Sequence, residues 1–315
     1  MLKLALHLLL RAFLTLFAIV TLVFLATRLS GNPLDSIGAQ GLTADDRVLL
    51  TRYYELDRSL PEQYLAFLSA FTDGRFGLSY TERRPVVDIV LERLWPSAQL
   101  MLSAMALTLL TAIPMGIAAA VWRRGWLARG VMGLAFLGYA VPNFVLATLL
   151  VLIFAYWLNW LPVVGNATPA HFILPTLVLS AGLVAALTRF TRNAMLDVLG
   201  QDFMRTARAK GLPEARVLLG HGLGNAAITI LAVVGLQIAG LAASGAVVVE
   251  AIFSWPGIGD LLVSAAIRRD YPVIQFGVVT VSVAVLAISA ATEFAYRLAD
   301  PRLRRATSLL RGGRA

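Results

Sequence analysis

Six long apolar runs alternate with polar islands along this chain, at about Ala12–Thr27, Ser97–Trp122, Val131–Leu158, Phe172–Thr188, Ile228–Val249 and Phe276–Leu298. A helix needs ~20 mainly apolar residues to cross a bilayer, so the pattern predicts six membrane-spanning helices. Lys3 and Arg11 precede the first run, an order also found at the start of signal peptides. The run is longer than their usual apolar core, and Leu25 to Arg28 makes a poor cleavage site, so a retained span is expected. Residues 29–95 are polar, with Asn32 and Pro33 at the opening and Asp45 and Asp46 within. Pro85 to Trp95 reads as a short amphipathic helix with Val86, Ile89, Val90 and Leu94 on one side. No compact core is evident, so the region is expected to be an extramembrane connector that packs against the bundle.

Several spans carry residues that change their expected behaviour. Pro114 lies in the second, followed by Gly116, and Pro142 with Asn143 lies in the third. Proline removes a backbone donor, which membrane helices tolerate where neighbours or a cavity satisfy the freed groups. Such a break is either a static kink or a hinge or pathway lining. Pro175 falls near the expected start of the fourth span, where proline is permitted. In the fifth, Gly235, Ala239 and Ala243 form a small-residue stripe that lets backbones approach. Gln237 in the same span needs a partner in hydrocarbon. Glu293 and Arg297, four apart in the last span, can pair on its surface.

The island from Arg205 to Asn225 is basic and sharply punctuated. Gly211 suits the left-handed position past a helix end, and Pro213 the first turn of the next helix. Glu214 then sits where the helix dipole favours an acid. The spacing predicts helix, tight turn, short helix; a solvated basic loop is the alternative.

Composition confirms the solvent. Of 315 residues 58% are hydrophobic and 14% charged, and mean hydropathy is +0.76; soluble domains carry roughly 25% charged residues. The formal charge of +9 gathers at the ends of apolar runs, which fits anionic lipid and membrane orientation rather than nucleic acid. Residues 123–129 hold Arg123, Arg124 and Arg129 with no acid, residues 159–171 hold no Lys or Arg, and the tail from Arg302 is basic. Positive loops face the cytoplasm, so both termini and the 205–225 island are expected there and 29–95 outside. Arg28 and Arg93, which flank the outer region, run against this scheme.

No catalytic chemistry is evident. Cysteine is absent, so there is no disulfide framework or thiolate metal site. Neither lysine, Lys3 nor Lys210, sits in a phosphate-binding loop. His7, His171 and His221 are too scattered for metal-ligand spacing. No catalytic residue, metal site or cofactor is expected. A bundle without energy chemistry, carrying a structured polar helix pair, suggests a subunit driven by a partner.

Arg205 to Leu212, reading R-T-A-R-A-K-G-L, followed by His221 to Ala226, resembles the "EAA" loop of permease subunits of binding-protein-dependent ABC importers, in their peptide and nickel branch. Arg205 stands where the wider family has glutamate, as is usual in that branch. Glu250 to Gly259 is similar to the family's E-x-x-F-x-W-P-G-x-G, and Arg269 to Gln275 to its R-D-Y-P-x-x-Q. Phe76 to Ser79, Arg84 to Val86, Val141 to Phe144 and the ending Asp300 to Arg302 match in the same order.

The resemblance implies an all-α, six-span permease of the type I importer class, with an N-terminal span (1–28), an extracytoplasmic connector (29–95), a five-helix core (96–300) and a basic tail (301–315). Its coupling loop at about 200–225 would hold Arg205, Thr206, Ala207, Arg208, Lys210, Gly211, Leu212, Arg216, Val217 and Leu218. Leu212, Val217 and Leu218 would enter a groove on a cytoplasmic ATPase, with Arg205, Arg208, Lys210 and Arg216 at the rim. The implied partners are a second, usually non-identical permease, two ATPase subunits, an extracytoplasmic binding protein and the lipid of a bacterial inner membrane. Pro114, Pro142, Asn143 and Gln237 are the candidates for pathway or hinge. Peptide and nickel permeases share these motifs; Trp157 to Gly165 and Met195 to Val198 resemble the nickel type, while the loop resembles the peptide type, so peptides are expected with nickel as the alternative. An ion-coupled secondary transporter, an intramembrane hydrolase and a scaffold are the other classes. No internal repeat favours the first, and no paired nucleophile and base favours the second.

Overall fold

The structure, a computed structural model, describes residues 2–31, 34, 45, 48, 51–52, 56–74 and 76–299. Asn32, Pro33, Asp46, Asp300 to Arg302 and the rest of the 301–315 tail lie outside the described residues, as does the Arg297 side chain with its expected pairing to Glu293. In chain order the helices are α1 (Leu2–Leu29), α2 (Leu60–Asp73), α3 (Val86–Val121), α4 (Trp126–Ala140), α5 (Asn143–Trp157), α6 (Pro169–Leu199), α7 (Asp202–Ala209), α8 (Glu214–Ala243), α9 (Val247–Ile252), α10 (Ile258–Arg268) and α11 (Tyr271–Ala299). Leu78 and Pro85 form an isolated antiparallel bridge.

Among the described residues five helices are long and apolar enough to cross a bilayer, or six if the pair α4–α5, bent by 103°, is one span. Each arm has 15 residues, about 22 Å at 1.5 Å per residue. At that bend the pair's ends stand about 28 Å apart, close to the ~30 Å of hydrocarbon a crossing must cover. The third expected span corresponds to this bent pair. Its break follows from Pro142, which has no N–H and holds the preceding Val141 extended, at φ −83° and ψ 120°.

Two compact units divide the chain, Met1–Ala98 with Ser254–Leu286 and Gln99–Phe253 with Ala287–Ala315. In the first, the amphipathic stripe read from sequence is the core. Val86, Ile89 and Val90 bury against Ile258, Leu261, Ala265 and Val273, with Leu94 packed beside them. The stripe is not a separate short helix, because α3 runs from it into the second span without interruption. An aromatic series joins the connector to the spans: Phe24 contacts Tyr64 and Phe67, Phe67 contacts Phe71, Phe71 contacts Phe76, and Phe76 contacts Phe276. The Glu62 carboxylate accepts hydrogen bonds from the Ser59 N–H and hydroxyl, which closes the start of α2.

Asp270 organises the other end of this unit. Its buried carboxylate accepts from the Ser79 hydroxyl and from the N–H groups of Tyr80 and Thr81. The Tyr271 hydroxyl donates to the Gly31 carbonyl, and the Gln275 amide donates to Thr27 Oγ1. Trp255, fully buried, donates its indole N–H to the Pro96 carbonyl, and Ser97 Oγ accepts the Ile258 N–H at the start of α10. The two arginines that run against the charge pattern, Arg28 and Arg93, both have contacts in this unit. Arg28 folds over the Phe24 ring, and Arg93 acts on Asp260. Burial raises the Asp260 carboxyl above its usual range, and the Arg93 charge opposes that rise.

In the second unit α6 is the central helix, packed against α4, α5, α8 and α9. It begins with Pro169 in its first turn, so Pro175 lies inside the helix, buried, and not at the permitted first position expected from sequence. Close approaches hold this unit together. A Cβ on Gly116 would lie 2.5 Å from Thr191 Cβ and 2.9 Å from the Thr188 carbonyl oxygen, and one on Gly138 would lie 3.1 Å from the Ala181 carbonyl oxygen. Gly235 is buried against Thr292, whereas Ala239 is half-buried and Ala243 exposed, so only the first position of the small-residue stripe makes the close contact.

Candidate functional site

The polar island folds as a helix–turn–helix knot. After Gly200 the chain turns, and α7 carries Met204 and Ala207 inward against Val217, with Val198, Leu199 and Leu212 packed around them. Arg205, Thr206, Arg208 and Lys210 point outward, exposed. The two inward positions are three residues apart and the polar ones fill the rest of the short helix, an amphipathic pattern. Gly211 takes φ +72°, the left-handed conformation that ends α7, and its N–H donates to the Arg208 carbonyl. Pro213 is extended at ψ 141° and opens α8.

A bidentate ion pair crosses the turn. Arg208 donates through Nε to Glu214 Oε2 at 3.2 Å and through a terminal nitrogen to Oε1 at 2.9 Å. The pair is solvent-exposed, so its energy is small, ~0.2–1 kcal/mol, but the fork fixes the angle between α7 and α8. Bonding to Glu214 holds the Arg208 guanidinium above its ordinary pKa. Arg205 reaches Asp202 at 3.4 Å on the same exposed face.

The second helix of the knot is not short. It continues through a π-helical stretch, Val217–Leu223, into the fifth span, so turn and span form one rod from Glu214 to Ala243. Gly222 sits under the Met195 and Met204 side chains, where a Cβ would meet the Met195 methyl at 3.2 Å. The expectation that Val217 faces a partner is corrected: it is fully buried in the knot's own core, and Leu212 packs against that core. Leu218 is half-buried. The large apolar side chains the knot exposes are Phe203 and Leu219, which the sequence reading missed. Their outward placement shows once Met204, Ala207 and Val217 are known to be inside.

The pathway candidates behave differently from one another. Pro114 is exposed and α3 continues through it unbroken; the tight contact belongs to its neighbour Gly116. Pro142 breaks the span, and Asn143 begins α5. Gln237 meets the need foreseen for it by half. Its amide nitrogen donates to the Leu183 carbonyl at 3.0 Å, while its buried Oε1 has no hydrogen-bond partner. Gly182, beside Leu183, is the residue whose Cβ would approach the Gly138 carbonyl of α4. These positions lie on the helices packed around α6. The described residues contain no group of three or more acidic, histidine or cysteine side chains placed to hold a metal.

Long apolar helices, one pair of them bent at a proline, and a polar turn continuous with another fit a polytopic membrane protein. The chain belongs to the family of binding-protein-dependent transport system inner membrane components, whose model matches residues 112–305; it is an ABC importer permease of the peptide and nickel branch. It is 40% identical over 291 residues to the "Glutathione transport system permease protein GsiC" of Escherichia coli (strain K12), covering 92% of this chain and 95% of that one. The protein of the same description from Shigella flexneri serotype 5b (strain 8401) matches with the same identity and coverage. Among solved structures, an inward-facing conformation of the MetNI methionine ABC transporter shares the fold, with TM-score 0.58 and 16% identity over 69% of this chain and 98% of that one.

Proposed function

We propose that this chain is one of two permease subunits of an ATP-driven importer for small peptides of the glutathione type. The observation that carries this reading is the end-to-end match to permeases described as glutathione transporters. That description favours a peptide over nickel within the branch. Both termini and the α7–α8 knot face the cytoplasm, as the loop charges suggest, and residues 29–95 face outward to a binding protein.

The knot is the contact for a separate ATPase subunit. Phe203 and Leu219 enter the ATPase surface, and Arg205, Arg208, Lys210 and Arg216 form the polar rim. Because α8 is continuous from the turn into the membrane, movement of the knot carries directly into the span with little slack. The bent span at Pro142 and the half-satisfied Gln237 line the part of the bundle that changes as access alternates. ATP binding and hydrolysis occur on the partner subunits. Reconstitution with the co-encoded permease, ATPases and binding protein tests this: glutathione or dipeptide uptake that needs ATP supports it. Uptake of nickel but no peptide overturns the substrate, and uptake without any ATPase overturns the class.

A further inference from the structure

We infer that Arg189 and Tyr139 form a releasable clasp that latches the α4 arm of the bent span onto α6; its part in transport rests on the importer reading above. The Arg189 guanidinium lies over the Tyr139 ring, 4.6 Å from its centre, and so joins two helices distant in sequence. The other such contact among the described residues, Arg28 over Phe24, is local to α1. Tyr139 stands in the last turn of α4, just before the break at Pro142, so the clasp acts at the joint of the bent pair. The packing next to it is smooth. A Cβ on Gly138 would lie 3.1 Å from the Ala181 carbonyl oxygen and 3.4 Å from the Ala185 methyl. Glycine and alanine let the backbones approach, but these residues interlock no large side chain. The Tyr139 ring itself is 64% exposed and is not wedged into the bundle.

Arg189 has nothing else to keep it in place. It is half-buried, and among the described residues it makes no ion pair and no hydrogen bond. Side chains on a helix lean towards its N-terminus, which here means into the span and towards the ring. There the negative face of the ring offsets part of the water the guanidinium gives up. Arg189 also directly follows the apolar run 172–188, so the same long side chain can swing the other way and reach water at the end of the span. One guanidinium thus has two accessible positions, and in only one does it grip α4. Arg192, one turn further on, shares the unpartnered Nε but has no ring against it among the described residues. It separates the effect of the clasp from that of a positive charge on α6.

Distances between spin labels on Trp126→Cys and Trp157→Cys, at the two ends of the bent pair in this cysteine-free chain, read the latch. In nanodiscs the labelled chain with the clasp intact is expected to show one main distance, about 28 Å at the bend of this structure. Arg189→Gln and Tyr139→Leu should each raise a second, longer distance about tenfold relative to the first, the scale of one cation–π contact out of water. The two together should do no more than either alone. Tyr139→Phe keeps the ring, and Arg192→Gln removes an equal charge away from it, so both should match the intact clasp. No change in Arg189→Gln, additive effects, or an equal shift in Arg192→Gln overturns the clasp. In the assembled importer, trapping with ATP and vanadate should bring the intact clasp to the same longer distance. If trapping leaves the resting distance in place, the contact is a static brace and the latch is overturned, even where the variants shift. Failure of the chain to recruit any ATPase overturns the importer reading alone, and the nanodisc distances still decide the clasp.

Discussion

The close approach of α8 to α11 at Gly235 is a place where one methyl group decides stability. A Cβ built on Gly235 falls onto the γ-methyl of Thr292, with Thr292 Cβ at 3.3 Å and Oγ1 at 3.6 Å beyond it. Gly235→Ala therefore overpacks the contact, which costs ~1–3 kcal/mol in a well-packed interior. Thr292→Ser removes only the obstructing methyl, a loss of at most ~0.8 kcal/mol, and leaves the atoms at 3.3 and 3.6 Å in place. The double variant should then be about as stable as Thr292→Ser alone, a coupling as large as the ~1–3 kcal/mol cost of Gly235→Ala, which independent sites would not show. Intrinsic fluorescence of the tryptophans during thermal unfolding in detergent reads all four proteins. Additive effects, or a Gly235→Ala protein that melts with the wild type, would refute the packing assigned to this pair.

Three further outcomes are expected. No atom lies within 4 Å of a Cβ at Gly211, so substitution there strains only the backbone, by ~1–2 kcal/mol for an ordinary residue; Gly211→Asn should keep uptake coupled to ATP hydrolysis, whereas Gly211→Val should insert but uncouple. Pro142→Ala restores the missing N–H, and spin labels at 126 and 157 should move apart from about 28 Å towards a straighter pair, with an unchanged distance contradicting the proline origin of the bend. The hydrogen bonds from Ser59 hold the Glu62 carboxyl below its usual pKa, so the start of α2 gains stability that is present at neutral pH and lost as pH falls through that lowered value; Glu62→Gln should abolish the acid-side loss of protection, measured as exchange relative to the intrinsic rate at each pH, at the amides of Ser59, Glu62 and Gln63.

Much of this fold was legible in the order of apolar runs, because a bilayer sets helix length and leaves few alternatives to helix. The Val86 to Leu94 stripe and the turn at Gly211 and Pro213 were equally legible, since periodicity and turn chemistry act locally. Three features were not. The severity of the bend at Pro142 depends on how α4 and α5 each pack against α6, which no local pattern states. The burial of Val217 depends on Met204 and Ala207 arriving from α7, so an apolar residue in a polar loop looked outward-facing when it was inward. Gly116 carries a tight helix contact, whereas the sequence singled out Pro114 beside it as a kink or hinge; proline is conspicuous in a sequence, but a glycine's importance lies in the helix opposite.

The most direct test is ATP-dependent uptake in proteoliposomes built from this chain, its partner permease, the two ATPases and the binding protein, with the wild type compared with Phe203→Asp combined with Leu219→Asp. The wild type should accumulate glutathione or a dipeptide only when ATP and the binding protein are both present. The double variant should reach the membrane in normal amount yet fail to bind the ATPases and to transport. Full transport by the double variant would contradict the α7–α8 knot as the seat of coupling.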